Sequence, residues 1–131
     1  MVNGKRIKQE GHHGKRPHKK LDAWLKVIEL TVETYRQTEK LPGDEKFGLI
    51  SQMRRSAVSV ASNIAEDAAR DTKKDFIRFL HNAKRSLSEL DTQVVICNRL
   101  GYLPLDECEI LNEHMERESK LLTGLIRYLK K

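Results

Sequence analysis

The sequence predicts an all-α protein, an antiparallel up-down-up-down four-helix bundle that follows a disordered basic N-terminal tail. The first observation behind this prediction is a seam of seven apolar residues, spaced alternately four and three apart, in the third predicted helix. Its members are Phe76, Leu80, Ala83, Leu87, Leu90, Val94 and Cys97. Short turns separate three further amphipathic segments. A composition with only 5% aromatic residues suits close packing of Leu, Ile, Val and Ala side chains.

Residues 1–20 are expected to form a flexible tail, and residues 21–131 the bundle domain. The net charge of +6 lies entirely in the tail, because residues 21–131 have equal numbers of basic and acidic side chains. The basic residues of the tail are Lys5, Arg6, Lys8, Lys15, Arg16, Lys19 and Lys20. A flexible basic arm commonly contacts the phosphates of nucleic acid. A solubilising leader without a partner is the other interpretation.

The first helix is predicted from about Leu21 to Glu39, before a Leu41-Pro42-Gly43 break. Its expected apolar stripe consists of Leu21, Trp24, Leu25, Ile28, Val32 and Tyr35. The second helix is expected to begin with Asp44 as its N-cap and to end near Arg70. Its expected buried residues are Ile50, Met53, Ala57, Val60, Ile64 and Ala68.

The third helix is predicted from about Thr72 to Leu100. Asp71 or Thr72 is the expected N-cap, and Gly101 supplies the usual C-terminal stop. The fourth helix is predicted from Leu105 or Asp106 to about Leu129. Its expected buried residues are Leu111, Met115, Leu122, Leu125 and Leu129.

Two stripes of small and polar side chains follow the second and third helices at helical spacing. They are Arg55, Ser59, Ser62 and Glu66, and Asn82, Ser86, Glu89 and Gln93. Short polar side chains allow helices to approach closely and to form hydrogen bonds across an interface, so the stripes are candidates for a subunit interface. Arg55 would then meet a carboxylate such as Glu89. An ordinary solvated face with a few buried hydrogen bonds is the alternative.

A basic stripe lies on the third helix, offset by two residues from the apolar seam. It consists of Lys74, Arg78, His81 and Arg85. Two residues turn a helix by about 200°, so this stripe should point away from the core. The stripe is a candidate phosphate-binding face, and a merely solvated face is the alternative.

No catalytic constellation is visible, and the sequence predicts neither an enzyme nor a cofactor. The sequence has no Cys-x-x-Cys, phosphate loop or nucleophile motif. No metal site is expected either, because His81 and His114 lack the Glu-x-x-His spacing of di-iron bundles. Cys97 and Cys108 are expected to be reduced thiols, rather than a disulfide, in a cytoplasmic protein. No apolar run of about 18 residues is present, so no membrane span is expected.

Five segments of the chain resemble a known protein family. They are Leu21–Trp24, Leu41–Leu49, Gln52–Val60, Ser62–Glu66 and Ser86–Leu90. The family is that of the four-helix-bundle protein encoded by intervening sequences within bacterial large-subunit ribosomal RNA genes. That family is similar in fold to the accessory variability determinant of diversity-generating retroelements, which is a partner of a reverse transcriptase.

The resemblance implies a homopentameric barrel with nucleic acid, RNA or DNA, as a candidate ligand and a reverse transcriptase as a candidate partner. It implies structural or interfacial roles for Arg54, Arg55, Asn63, Glu66 and Glu89, and no catalytic residue. The leading hypothesis is a homo-oligomeric bundle that binds nucleic acid electrostatically through its basic arm and the third helix. A protein–protein scaffold without nucleic-acid binding is the alternative, favoured by the neutral charge of residues 21–131.

Overall fold

The computed structural model describes residues 17–66 and 72–131, and these residues form the predicted four-helix bundle. The helices are α1 (Pro17–Thr38), α2 (Leu49–Ala65), α3 (Lys73–Arg99) and α4 (Leu105–Lys130), with a short 3-10 helix at Gly43–Glu45. Helix α1 packs against α2 and α4, and α3 packs against the same two helices. The order of the helices around the bundle therefore follows their order along the chain. The described residues are helical with short connections, which confirms the predicted all-α class.

The core is built around the seam of α3. All seven residues of that seam are buried, as the alternating spacing predicts. The five apolar residues expected in the core from α4 are also buried. From α2, the core takes Met53, Ala57, Val60 and Ile64. Ile50 is only half-buried, and Ala68 lies outside the described residues.

The prediction for the buried face of α1 was wrong. Leu25, Val32 and Tyr35 are exposed, and the expected Leu21, Trp24 and Ile28 are only partly buried. The buried side chains of α1 are instead Lys20, Ala23, Val27, Leu30, Thr34, Gln37 and Thr38.

Two threonines explain why the true core face of α1 looks polar in the sequence. The Thr34 hydroxyl donates to the Leu30 carbonyl at 2.8 Å, and the Thr38 hydroxyl donates to the Thr34 carbonyl at 2.8 Å. A buried hydroxyl with a hydrogen-bond partner has little desolvation cost. Threonine therefore serves as a core residue here, and the larger apolar stripe of α1 stays outside.

The starts of α1 and α2 differ from expectation. Helix α1 begins at Pro17, where proline suits the first helical position, four residues before the predicted start at Leu21. Helix α2 begins after Gly48, not after Asp44. Glu45 is the reason: its Oε1 accepts the Leu49 N–H at 3.1 Å, and its Oε2 accepts the Tyr102 hydroxyl at 3.0 Å. The predicted end of α2 near Arg70 lies outside the described residues; the helix is described to Ala65.

The ends of α3 agree with the capping signals. The Thr72 hydroxyl accepts the Asp75 backbone N–H at 3.0 Å, so Thr72 is the N-cap. At the other end, Gly101 has a φ of 80°, a left-handed conformation that favours glycine. This lets the Tyr102 N–H donate back to the Cys97 carbonyl at 2.9 Å.

Both cysteines are buried free thiols, in agreement with the prediction. The Cys97 thiol donates to the Met53 sulfur at 3.5 Å, and burial raises the pKa of Cys97 to about 11. A thiol with that pKa is overwhelmingly protonated at neutral pH and is a poor nucleophile. Within residues 17–66 and 72–131, no helix combines the length and apolarity needed to cross a membrane.

Two truncations test where the folded domain begins. Removing residues 1–16 should leave the melting temperature unchanged, because their composition offers little apolar surface. Removing residues 1–20 also deletes the first turn of α1 and the buried side chain of Lys20. This truncation should lower the melting temperature by about 4 °C. Thermal unfolding followed by circular dichroism would measure both. Equal melting temperatures for the two truncations would contradict the boundary at Pro17.

Candidate functional site

The basic stripe of α3 lies on the outer surface of the bundle. Lys74, Arg78, His81 and Arg85 are all exposed, as their offset from the seam predicts. Arg78 lies 3.6 Å from the Asp75 carboxylate and stacks over the Phe79 ring at 4.6 Å. Arg85 donates to the Asn82 side-chain oxygen at 2.9 Å. These local contacts orient two guanidinium groups and leave them in contact with solvent.

Of the tail residues proposed to contact phosphates, Lys5, Arg6, Lys8, Lys15 and Arg16 lie outside the described part of the chain. Lys19 is exposed in the first turn of α1, with its Nζ 5.2 Å from the centre of the Tyr128 ring. Lys20 is only 3% exposed, and its Nζ lies 5.1 Å from the centre of the Phe76 ring. The prediction for Lys20 was therefore wrong, because its ammonium group is packed inside the bundle beside an aromatic ring.

The two polar stripes border the same seam between α2 and α3. Ser59 and Ser86 are joined by a hydrogen bond of 2.8 Å, and Asn63 donates to the Ser59 carbonyl at 2.8 Å. Ser59 and Ser86 therefore form a hydrogen bond within the chain, which is the alternative to a role for these two residues in a subunit interface. The Gln93 side-chain oxygen is buried and has no hydrogen-bond partner.

The outer members of the polar stripes remain available at the surface. Arg55, Ser62 and Glu89 are exposed, whereas Glu66, Asn82 and Gln93 are half-buried. Arg55 donates to the Ser51 hydroxyl at 3.2 Å within α2. Arg54, by contrast, crosses to α1, where it donates to the Thr38 hydroxyl at 2.9 Å and stacks over Tyr35 at 4.4 Å. Arg54 thus holds α1 and α2 together.

An apolar stripe on the outer side of α1 was not recognised as a surface feature in the sequence. Leu25, Val32 and Tyr35 are 41%, 44% and 41% exposed, and Val58 on the neighbouring helix α2 is 42% exposed. Their spacing along α1 is that of an amphipathic helix face. In the sequence these three α1 residues belong to the apolar stripe expected in the core, so the periodicity alone does not distinguish a surface stripe from a core stripe.

Glu118 is the second feature that the sequence did not reveal. Its side chain is fully buried on the core face of α4, and neither carboxylate oxygen has a hydrogen-bond partner among the described residues. Burial raises the pKa of the Glu118 carboxyl to about 8, with the charge of Asp22 adding to the rise and Arg117 opposing it. The guanidinium of Arg117 turns outward to Glu29, 2.9 Å away, and so does not pair with Glu118. Glu118 is therefore mostly protonated at neutral pH.

The described residues offer no arrangement suited to metal binding, since no three His, Cys, Asp or Glu side chains of residues 17–66 and 72–131 converge. A groove of about 390 Å³ between α3 and α4 is lined by Lys84, Ser88, Asp91, Glu116 and other side chains. Lys84 is tied to α4 by donating to the Thr123 hydroxyl at 3.0 Å. The features that distinguish this molecule are therefore its charged, polar and apolar helix faces.

Comparison with known proteins supports the family resemblance. The family model described as the 23S rRNA-intervening sequence protein matches residues 19–124. The chain belongs to this family. The match extends over α1, α2, α3 and most of α4, from Lys19 in the first turn of α1 to Gly124 in α4. The family resemblance stated from the five sequence segments is thus confirmed.

A solved structure supports the fold of this rRNA intervening-sequence protein. It is a crystal structure of a protein with unknown function from the S23 ribosomal protein family, from Bacteroides thetaiotaomicron VPI-5482. The two chains align with a TM-score of 0.76 and 25% sequence identity, over 83% of this chain and 98% of that chain. The search of curated proteins found no match.

The buried carboxyl of Glu118 predicts a specific dependence of stability on pH. The folded state keeps a proton that the unfolded state releases above about pH 4.5, so the free energy of unfolding should fall as pH rises from 4.5 to about 8. Glu118→Gln should remove this dependence and stabilise the protein at pH 8.5 by at least about 1 kcal/mol. Urea unfolding at several pH values would measure it. Glu116→Gln, at an exposed position of the same helix, is the control. Equal pH profiles for wild type and Glu118→Gln would show that Glu118 is ionised in the folded state.

Proposed function

We propose that this protein is a non-enzymatic homo-oligomer that binds RNA or DNA by attracting the negatively charged phosphates of the nucleic acid. The observation that carries the proposal is the exposed basic stripe from Lys74 to Arg85 on the outer face of α3. At a rise of about 1.5 Å per residue, the stripe is about 16 Å long. It can therefore contact more than one phosphate of a strand at the same time. The five basic residues between Lys5 and Arg16 would add further phosphate contacts.

The expected mode of binding is electrostatic, with little reading of base identity. Sequence-specific recognition of single strands usually relies on aromatic rings that stack on bases. The exposed rings of Tyr35 and Phe47 lie at and beyond the C-terminal end of α1, whereas the basic stripe lies on the first half of α3. The Phe79 ring adjoins the stripe, but it is half-buried and covered by the Arg78 guanidinium, so it is not a free stacking platform.

Self-association is supported by two neighbouring surfaces. The outer residues Arg55, Ser62 and Glu89 offer hydrogen-bonding groups, and the exposed apolar residues of α1 offer a face that burial would stabilise. The resemblance to the rRNA intervening-sequence family suggests a pentamer. We propose that these surfaces meet between copies of the chain in the cell, with the cytoplasm as the expected compartment.

A protein–protein scaffold is the second candidate. It is favoured by the apolar stripe of α1 and by the exposed carboxylates Asp106, Glu109, Glu113 and Glu116 on α4, because these surfaces suit protein partners rather than phosphates. A reverse transcriptase is the partner that the family resemblance suggests. The two candidates differ in whether the purified protein binds nucleic acid with the steep salt dependence of phosphate contacts.

Assembly can be tested with one charge reversal. Light scattering after gel filtration should give a mass several times the 15.2 kDa of the chain. Arg55→Glu should dissociate the assembly with unchanged helix content, because Arg55 is exposed and, among the described residues, donates a hydrogen bond only to Ser51. Arg99→Glu, also exposed and on α3, is a matched control that should leave the mass unchanged. A wild-type monomer at micromolar concentration would contradict the proposal.

The basic stripe can be tested by removing three charges at once. Replacing Lys74, Arg78 and Arg85 with Gln preserves helix propensity, so helix content and oligomer mass should not change. The affinity for single-stranded RNA should fall at least tenfold, because three phosphate contacts are lost. Fluorescence anisotropy with labelled RNA at two salt concentrations would measure this. If the triple variant binds as tightly as wild type, the stripe is only a solvated face.

A further inference from the structure

The charges of the folded domain are segregated between its two halves, although their sum is close to zero. Contacts between helices show which residues share a half: Lys19 lies over Tyr128, Lys20 lies over Phe76, and Lys84 donates to Thr123. We define the basic half as residues 17–27, 56–66, 72–85 and 119–131. It contains twelve Lys and Arg but only three Asp and Glu.

The acidic half comprises residues 28–55 and 86–118, with seven Lys and Arg against thirteen Asp and Glu. The contacts of Lys40 with Glu107 at 2.8 Å and of Tyr102 with Glu45 at 3.0 Å hold this half together. The antiparallel arrangement produces the segregation. The basic C-terminal end of α4 lies beside the first turns of α1 and α3, while the acidic start of α4 lies beside the ends of both.

The two halves also differ in how far their charges are neutralised. Ion pairs within the acidic half join Arg36 to Glu33, Lys40 to Glu107, Arg54 to Glu39 and Arg117 to Glu29. In the basic half, Arg78 pairs with Asp75 at 3.6 Å. In the described segments, the exposed side chains of Lys73, Lys74, Arg127 and Lys130 have no carboxylate within ion-pairing distance. Their mutual repulsion is relieved when a polyanion binds.

A groove of about 540 Å³ lies at the centre of the basic half, between the start of α3 and the end of α4. It is lined by Thr72, Lys73, Lys74, Ile77, Leu129 and Lys130. Three ammonium groups thus surround a partly apolar floor that Ile77 and Leu129 contribute. Such a groove suits an extended chain that is both charged and apolar, because its phosphates can reach the lysines while sugars and bases lie against the floor.

We propose that this groove holds the phosphodiester backbone of the bound nucleic acid, with Lys73, Lys74 and Lys130 as phosphate contacts. Arg127, one helical turn before Lys130 on α4, is a fourth phosphate contact at the edge of the groove. The inference rests on the proposed function. It places the main contact with nucleic acid at the end of the bundle rather than on α3 alone. Lys74 belongs to both the groove and the basic stripe, so a strand that leaves the groove runs on toward Arg78 and Arg85. The segment that precedes Pro17, with five basic residues, is attached at this same half.

Three triple variants with the same loss of charge test this assignment. The groove variant is Lys73→Gln, Arg127→Gln and Lys130→Gln, all at exposed positions. The stripe variant carries Gln at Lys74, Arg78 and Arg85. The control variant carries Gln at Arg36, Lys46 and Arg99, which are exposed and lie in the acidic half. Thermal unfolding of each variant would confirm that the domain remains folded.

Binding would be measured by anisotropy with a labelled single-stranded RNA of mixed sequence, about 30 nucleotides long, over a series of salt concentrations. The groove variant should bind at least tenfold more weakly than wild type, and its log–log salt slope should be shallower by about 2, as expected for three lost phosphate contacts. The control variant should lose less than about twofold. In wild type, RNA should also protect Lys73, Lys74 and Lys130 from acetylation, but not Lys46.

The outcomes separate this assignment from the proposed function. If wild type binds RNA and the groove variant binds it as tightly as the control variant does, the assignment of phosphate contacts to the groove is wrong. The proposed function would still stand. Absence of RNA binding by wild type would overturn both. A competition experiment adds poly-L-glutamate at the same concentration of negative charge as the RNA. If poly-L-glutamate displaces the RNA, the groove accepts acidic polypeptides equally well and is not a nucleic-acid site.

Discussion

The apolar seam of α3 is the constraint on which the other features of this molecule depend. Its residues from Phe76 to Cys97 are all buried, and α3 packs against both α2 and α4. An uninterrupted seam from Phe76 to Cys97, in a helix of 27 residues, fixes the rotation of α3 about its axis. That rotation places the basic stripe outward and the polar stripe against α2. The candidate functional faces are therefore consequences of core packing, and a change that rotated α3 would displace all of them together.

Packing also determines how polar residues in core positions behave. Thr34 and Glu118 both occupy core faces of their helices and are both fully buried. The Thr34 hydroxyl finds a carbonyl acceptor one turn earlier in its own helix, whereas the carboxyl group of Glu118 has no hydrogen-bond partner in the part of the chain that the structure describes. A hydroxyl can be satisfied locally, but a carboxylate needs a donor from a neighbouring helix, which the apolar surroundings do not provide. The protein therefore keeps Glu118 in its neutral form, at the expense of stability in alkaline solution.

The segregation of charge connects the architecture with the proposed function. A domain of nearly balanced charge attracts a polyanion only weakly if its charges are mixed. Antiparallel packing instead gathers Lys73, Lys74, Arg127 and Lys130 around one end, and none of them has an ion-pair partner among the described residues. Under the proposed function, a potential of one sign at that end would direct a nucleic acid to it, and the acidic half would repel the same ligand. The acidic half and the apolar stripe of α1 remain for contacts with proteins, including other copies of the chain.

The sequence by itself determined the number and order of the helices, the core faces of α3 and α4, and the Thr72 and Gly101 ends of α3. These features depend on local periodicity and capping chemistry, which a single helix contains. Only the tertiary structure decided which face of α1 is buried, that Lys20 and Glu118 lie inside, and that Glu45 delays the start of α2 by bonding to Tyr102. It also brought lysines distant in the chain around one groove. Each of these outcomes depends on which helices are neighbours, and the periodicity of one helix contains no information about its partners.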